Sequence, residues 1–385
     1  MAKRLAQALA GGDVWLLGLL GIALGLSSFV VFDAGFAQGN DVLGNLWRHG
    51  ISIIGFLIIL WTMGKIPKKY QALFVLTLYS FTWLLLLLVV IPGVGVEVNG
   101  ARRWLALGSF RFQPSEMLKP ATILFISYVL TLKLPPLHLA PRNRLAQADR
   151  WFTPLVLRGL PAILVVSSLV LVEAQPDLGT AAILGLTALS VMLLGGVRWK
   201  LLLSICVAGI LATCLYVGLR EYRWERVVSH FERWHPANVR GVAFQPNTSE
   251  TAMALGGVMG VGIGEGKAKH VLPAATTDYV FITIAEETGI WGALLVLTLL
   301  GALSFRLLWH AAGQRDAFVR CVVGGVGCWV GIQSILNLLM AGSLLFSVGI
   351  PLPFFSYGGS SLLGLGVGFG AVNWLLRNQR ARGDK

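Results

Sequence analysis

Residues 14–32 read VWLLGLLGIALGLSSFVVF. The run carries no charge and is long enough to cross a hydrocarbon core about 30 Å thick, which takes roughly 20 helical residues. A membrane β-strand would instead show about ten residues of alternating polarity, and neither this run nor residues 201–217 alternates. Working outward, nine further apolar stretches follow at approximately 46–64, 71–92, 117–133, 157–173, 178–196, 201–219, 279–308, 317–342 and 354–376. The pattern predicts an all-α polytopic membrane protein, with about ten transmembrane helices in one integral-membrane domain over residues 1–385. The eighth stretch is long and begins with a partly exposed turn; the fourth is short, and so tilted or flanked by buried polar helix ends.

Composition agrees. Of 385 residues, 56% are hydrophobic and 13% charged, against about 25% charged in soluble domains, so lipid must cover much of the surface. The cysteines, Cys206, Cys214, Cys321 and Cys328, lie inside apolar stretches and read as packing residues, not a disulfide framework. The histidines show no zinc spacing, and no cleavable signal peptide is evident after the first stretch.

Lys and Arg set the orientation. With both termini on one side, that side holds 19 of the 31 basic residues and 4 of the 18 acidic ones, and the other side holds 12 and 14. Positive loops stay inside, so both termini are expected in the cytoplasm. The net charge of +13 is then a topology signal, and no basic–aromatic stripe on a soluble domain offers itself to nucleic acid. Residues 220–278 form a large extracytoplasmic loop between helices 7 and 8, with the aromatic, charged run EYRWERVVSHFERWHP (221–236) and the Gly-rich run GGVMGVGIGEGKAKH (256–270). Long ordered loops tend to carry function. Arg102, Arg103, Arg111 and Lys119 fall on this outer side against the charge rule, which points to another reason for keeping them.

Several polar residues have two readings each. Asp278, in TTDYVF, either caps the eighth helix or serves as a partly desolvated general base. Glu116 and Lys119, three apart on one helical face, are either an interfacial salt bridge with a snorkelling lysine or the lining of a cavity. Pro114 or Ser115 starts their helix. Arg102 and Arg103, before Trp104, suit phosphate recognition or interfacial anchoring. Gln175 and Asp177 precede the sixth helix, which Asp177 is placed to cap. Glu286 and Glu287, side by side in the eighth helix, need water or partners and predict a polar cavity. Gly260, Gly262, Gly264 and Gly266 before Lys267 fit no nucleotide-binding spacing. Gly364, Gly366, Gly368 and Gly370 permit close helix approach. IPLPFFSYGGSS (350–361) is either a re-entrant loop or a short turn.

Four stretches, VNGARRWLALGSFRFQPSEMLKPA (98–121), EAQPDLGTA (173–181), GVGIGEGKAKHVLPAATTDYVFITIAEETGIWG (260–292) and GIPLPFFSYGGSS (349–361), occur in the order and spacing of the SEDS family (shape, elongation, division and sporulation proteins). The resemblance spans nearly the whole chain and leans toward the division type, FtsW, over the elongation type, RodA. It implies a peptidoglycan glycosyltransferase that joins lipid II units through β-1,4 bonds with undecaprenyl pyrophosphate leaving. It implies that Asp278 matches the essential acid of an HTD motif. Arg103, Glu116 and Lys119 match polar residues of a central outward cavity, and Asp177 matches a QPD element. Arg102, Gln175 and Lys269 complete the expected substrate contacts. The implied partner is a class B penicillin-binding transpeptidase, with other divisome or elongasome membrane proteins. No cofactor is demanded, and a divalent cation at the pyrophosphate stays an option. Where the family reads LPEAHTDF this chain reads LPAATTDY, so Ala274 and Thr276 replace a usual Glu and His. A lipid II flippase and a non-catalytic scaffold are the competing classes.

Overall fold

In the structure, a computed structural model, residues 2–37, 42–98, 100–108, 110–132, 159–239, 241 and 243–383 are described. Lys133, Arg142, Arg144, Asp149, Arg150, Arg158, Asp384 and Lys385, counted above for orientation, lie outside them. The elements in order are α1 (Ala2–Leu9), α2 (Val14–Ala37), α3 (Val42–Met63), α4 (Gln71–Val90), β1 (Gly95–Val98), β2 (Ala101–Leu107), β3 (Phe110–Phe112), α5 (Pro114–Thr131), α6 (Leu160–Ala174), α7 (Leu178–Leu194), α8 (Trp199–Gly218), α9 (Glu221–Phe231), α10 (Pro236–Val239), α11 (Phe244–Gly256), α12 (Ala268–Val271), α13 (Val280–Ala312), α14 (Ala317–Ala341) and α15 (Gly359–Gly383).

A helix stands in each of the ten apolar stretches. Seven of them, α2, α3, α4, α8, α13, α14 and α15, are long and apolar enough to cross a membrane. The chain is therefore a multi-pass membrane protein. Of the others, α6 and α7 have 15 and 17 residues, and α5 carries Glu116 and Lys119 in its first turns.

One expectation changes. The stretch after α4 forms a three-stranded antiparallel sheet, β1-β2-β3, so the fold is not all-α but helical with one small sheet. Gly100, at φ 76°, supplies the left-handed turn between β1 and β2. Within residues 220–278 the long segment expected between two spans carries four helices, α9 to α12.

The bundle is centred on α14, which packs against α5, α7, α13 and α15. The apolar window of α15 is 89% buried, whereas that of α8 is 11% buried; α15 is a core helix and α8 shows its flanks to lipid. Glycines on α15 do what their spacing suggested: a Cβ at Gly364 would come within 2.6 Å of the Glu116 carbonyl, and Gly368 lies against the Trp329 ring.

The expected polar cavity around Glu286 and Glu287 is absent among the described residues, because the Gly-rich run fills it with backbone donors. Glu286 accepts the amides of Lys267 and Ala268 at 3.0 and 2.8 Å, and Glu287 accepts that of Gly266 at 3.2 Å. Gly289 (φ 65°, ψ −157°) breaks α13 where this run crosses it, and Gly257 accepts the amide of Ile290. At the opposite end of the bundle, buried Asp13 accepts the amides of Trp15 and Leu16 at the start of α2, and pairs with Arg306 (2.7 Å) and His310 (2.5 Å) on α13. Burial opposes its charge, yet these partners hold its carboxyl down to about 2.

Candidate functional site

Three segments converge at the end of the bundle that carries the sheet: β2 with the start of α5, the α6–α7 turn, and the approach to α13. Asp278 lies on the third. The N-cap of α13 is Tyr279, without a side-chain capping bond, so Asp278 is not spent as a cap. The backbone around it is held instead. The Tyr357 amide donates to the Thr276 carbonyl (2.8 Å), Ser356 Oγ to the Thr277 carbonyl (2.6 Å) and Asn337 Nδ2 to the Asp278 carbonyl (2.8 Å). The loop 349–357 thus forms a wall beside the acid. Gly349, at φ 67°, faces the carboxylate; a Cβ there would sit 3.4 Å from Oδ2. The loop is folded into the protein, with Ile350, Leu352, Phe354 and Phe355 buried, which accounts for its apolar, charge-free sequence.

Asp177 caps α7, accepting the Thr180 amide at 3.2 Å, and also accepts from Gln113 Nε2 at 3.3 Å. Its capping role and its place in the site coexist. Arg103 grips the same turn. Its Nε donates to the Gln175 carbonyl at 2.9 Å, Nη2 donates to the Pro176 carbonyl, and Nη1 lies 3.9 Å from Asp177 Oδ1. The Gln175 side chain is buried and donates to the Leu86 carbonyl on α4; its part is to tie α6 to α4 beneath the site.

These groups act on Asp278 at a distance. Burial, then the Asp177 carboxylate, push its carboxyl up; Arg103 works against them and Glu116 adds to them, leaving it at about 6, well above the usual 3.8. Such an acid is half-ionised near pH 6, is mostly carboxylate at neutral pH, and can accept a proton in a reaction.

Pro114 opens α5 at its first position, with Gln113 as N-cap, and this sets Glu116 and Lys119 on the inner face. Their pair is fully buried at 2.7 Å. The ammonium also donates to Gln333 Oε1 (3.1 Å) and lies 5.9 Å from the centre of the Trp329 ring. Lys119 is therefore neither snorkelling to a surface nor open to a cavity. Glu116 Oε2 has no hydrogen-bond partner among the described residues.

Two expected contacts are not brought here. On β2, side chains alternate in direction, so Arg102 points away from Arg103; it is exposed and pairs with Glu97 at 3.2 Å. Lys269 is buried between Asp33 on α2 (2.7 Å) and Glu287 (2.5 Å). Burial opposes its charge, but the two carboxylates outweigh that and raise its pKa. Among the described residues no group of three His, Cys, Asp or Glu is arranged to hold a metal. Sequence reasoning missed Gln113, Gln333, Asn337 and Gly349. Gln333 and Asn337 were findable, since two carboxamides one turn apart inside an apolar span rarely lack a task.

Residues 13–381 match the FtsW/RodA/SpoVE family model, described as cell cycle protein. The chain is 32% identical to the probable peptidoglycan glycosyltransferase FtsW of Nitrosomonas europaea, over 91% of this chain and 89% of that one. It is likewise 32% identical to the peptidoglycan glycosyltransferase MrdB of Escherichia coli, over 94% and 92%. Among solved structures it is similar to a chain of a peptidoglycan synthase complex that coordinates polymerization and crosslinking (TM-score 0.75, 26% identity, covering 95% of this chain and 98% of that one). It is also similar to the rod shape determining protein RodA of Thermus thermophilus (TM-score 0.67, 26% identity, 95% and 97%).

Proposed function

Because this chain belongs to the SEDS family of peptidoglycan glycosyltransferases, the FtsW/RodA/SpoVE group, we propose that it polymerises lipid II into glycan strands with Asp278 as general base. One observation carries the residue assignment: Asp278 is an acid with no capping duty, raised to about 6, and faced by Asp177, Arg103 and Glu116. In the proposed reaction Asp278 takes the proton of a GlcNAc 4-hydroxyl as its oxygen bonds to C1 of a MurNAc. The C1–O bond to undecaprenyl pyrophosphate breaks, and the pyrophosphate leaves with the electron pair. Arg103 is the cation best placed to favour that charge, since it stands at the site while remaining partly exposed. Glu116, Lys119, Gln175 and Asp177 shape and polarise the site from beneath.

The same reading puts both termini in the cytoplasm, ten membrane crossings in the inner membrane, and the site with residues 220–278 outside it. Charge asymmetry supports this, as does the use of lipid II on the outer leaflet. A division role is favoured because most of the named relatives are FtsW proteins. The partner would be a class B penicillin-binding transpeptidase, in line with the synthase complex whose chain this one resembles. The test is polymerisation of lipid II by purified protein, with Asp278→Asn and Asp278→Ala alongside. The parent should make glycan strands and neither variant should. A parent that moves lipid II across vesicles without polymerising it would make the protein a flippase instead.

A further inference from the structure

We propose that Asn337 is a positioning residue for Asp278: from inside α14 its carboxamide pins the Asp278 and Ile350 carbonyls together and thereby fixes where the carboxylate points. The inference rests on the reading of Asp278 as the base.

Asn337 is completely buried in an apolar helix, where an amide is costly unless its hydrogen bonds are made. Its two N–H donors are both used, on the Asp278 carbonyl at 2.8 Å and the Ile350 carbonyl at 2.6 Å. Its Oδ1 has no partner among the described residues, so the side chain acts through its donors. One turn earlier on the same face, Gln333 Nε2 donates to the Pro351 carbonyl at 2.8 Å. The two amides therefore grip consecutive carbonyls of the wall loop, and one of them also grips the acid's own backbone.

The consequence falls on the carboxylate. Asp278 Oδ1 and Oδ2 accept no hydrogen bond from the described residues, so nothing fastens the side chain itself. Its direction is set by its backbone and by Gly349, the residue before Ile350, which faces Oδ2. Asn337 holds both at once. The charged and titratable groups around Asp278 are Asp177 from the α6–α7 turn, Arg103 from β2, Glu116 from α5 and the adjacent Tyr279. None of their side chains hydrogen-bonds the Asn337 amide, so changing Asn337 alters the acid's placement and leaves the bonds of its charged neighbours in place.

The experiment compares Asn337→Leu, near in size but without donors, with Asn337→Gln, which keeps them, and Asn337→Ser, which leaves room for water. Each purified full-length variant is checked for folding by thermal melting and gel filtration. Lipid II turnover is then measured against pH, with Asp278→Asn beside it. For Asn337→Leu we expect turnover to fall by about tenfold to a hundredfold with KM nearly unchanged. Its acid limb should move to lower pH, because a carboxylate released toward water loses part of its burial. Asn337→Gln should recover part of both, and Asn337→Ser should follow Leu, so the test stands if Leu alone misfolds. Turnover within about twofold of the parent in folded Leu or Ser variants overturns the inference; so does a rate loss in which the acid limb stays where the parent's is, the mark of a merely structural residue. An active Asp278→Asn would remove the base assignment and this inference with it, whereas a dead Asp278→Asn beside an active Asn337→Leu removes only the inference.

Discussion

Asp278 is placed at the expense of stability. Its carboxyl titrates at about 6 in the fold and near 3.8 when unperturbed, so the folded protein resists its ionisation. The sign follows from linkage: the penalty is complete above about pH 6, shrinks as pH falls from there, and vanishes below 3.8. Asp278→Asn is therefore expected to abolish polymerisation while stabilising the folded protein at neutral pH by on the order of 3 kcal/mol. That gain should be gone when melting is repeated at the acid end of this window; an unchanged melting temperature at neutral pH would contradict the burial of this acid. The neighbours should move the pH–rate profile in opposite directions. Asp177→Asn keeps a good cap but removes a negative charge, so the acid limb should shift to lower pH. Arg103→Gln removes the opposing positive charge and should shift it to higher pH, with an added loss in turnover. Lipid II polymerisation measured across pH checks both.

Among the elements, α5 and α15 hold the most exacting contact. Gly364→Ala would press a methyl group onto the Glu116 carbonyl, where both partners are helical backbone and cannot yield. Overpacking of this kind costs about 1–3 kcal/mol and should appear as a lower melting temperature, with Gly301→Ala, whose added Cβ would meet open space, as the control. The Glu116–Lys119 pair answers to a different test. Lys119→Met strands a buried carboxylate, which costs about 3–5 kcal/mol, so a loss of activity in that variant alone says little about chemistry. Glu116→Gln with Lys119→Met removes both charges and should recover most of the stability. If the double variant folds and polymerises lipid II like the parent, the pair is scaffold; if it folds and does not polymerise, the charges serve the site.

At the scale of the whole molecule, the orientation is open to direct labelling. In a background without the four cysteines, a cysteine at Arg315 should be sealed from a membrane-impermeant reagent outside the cell, and one at Lys267 should react. Both positions are exposed. Ser249, in the same long segment, is completely buried in α11, and a cysteine there would give a false negative. Reversed labelling would place the site in the cytoplasm, away from lipid II in the outer leaflet.

The sequence by itself determined the helical membrane architecture, because a run such as residues 14–32 has no stable alternative in lipid or in water. It also located a helix within each apolar stretch, narrowed the start of α5 to Pro114 or Ser115 and offered Asp177 as a cap, since each depends on near neighbours in the chain. It named Asp278 and Arg103 as candidates, but it left Asp278 divided between cap and base. Only the tertiary structure removed the capping duty, by starting α13 one residue later, and only it brings Asp177, Arg103 and Glu116 from three other segments to bear on the acid. The same holds for Arg102, singled out by its charge, and Lys269, singled out by the family-matching stretch, to which the fold gave partners elsewhere, and for Asn337, which looks like one more residue of an apolar span until Asp278 and Ile350 are folded against it. Helix formation in lipid is a local necessity of the backbone, whereas the charge and direction of one carboxylate depend on groups up to hundreds of residues apart, which meet only when the bundle closes.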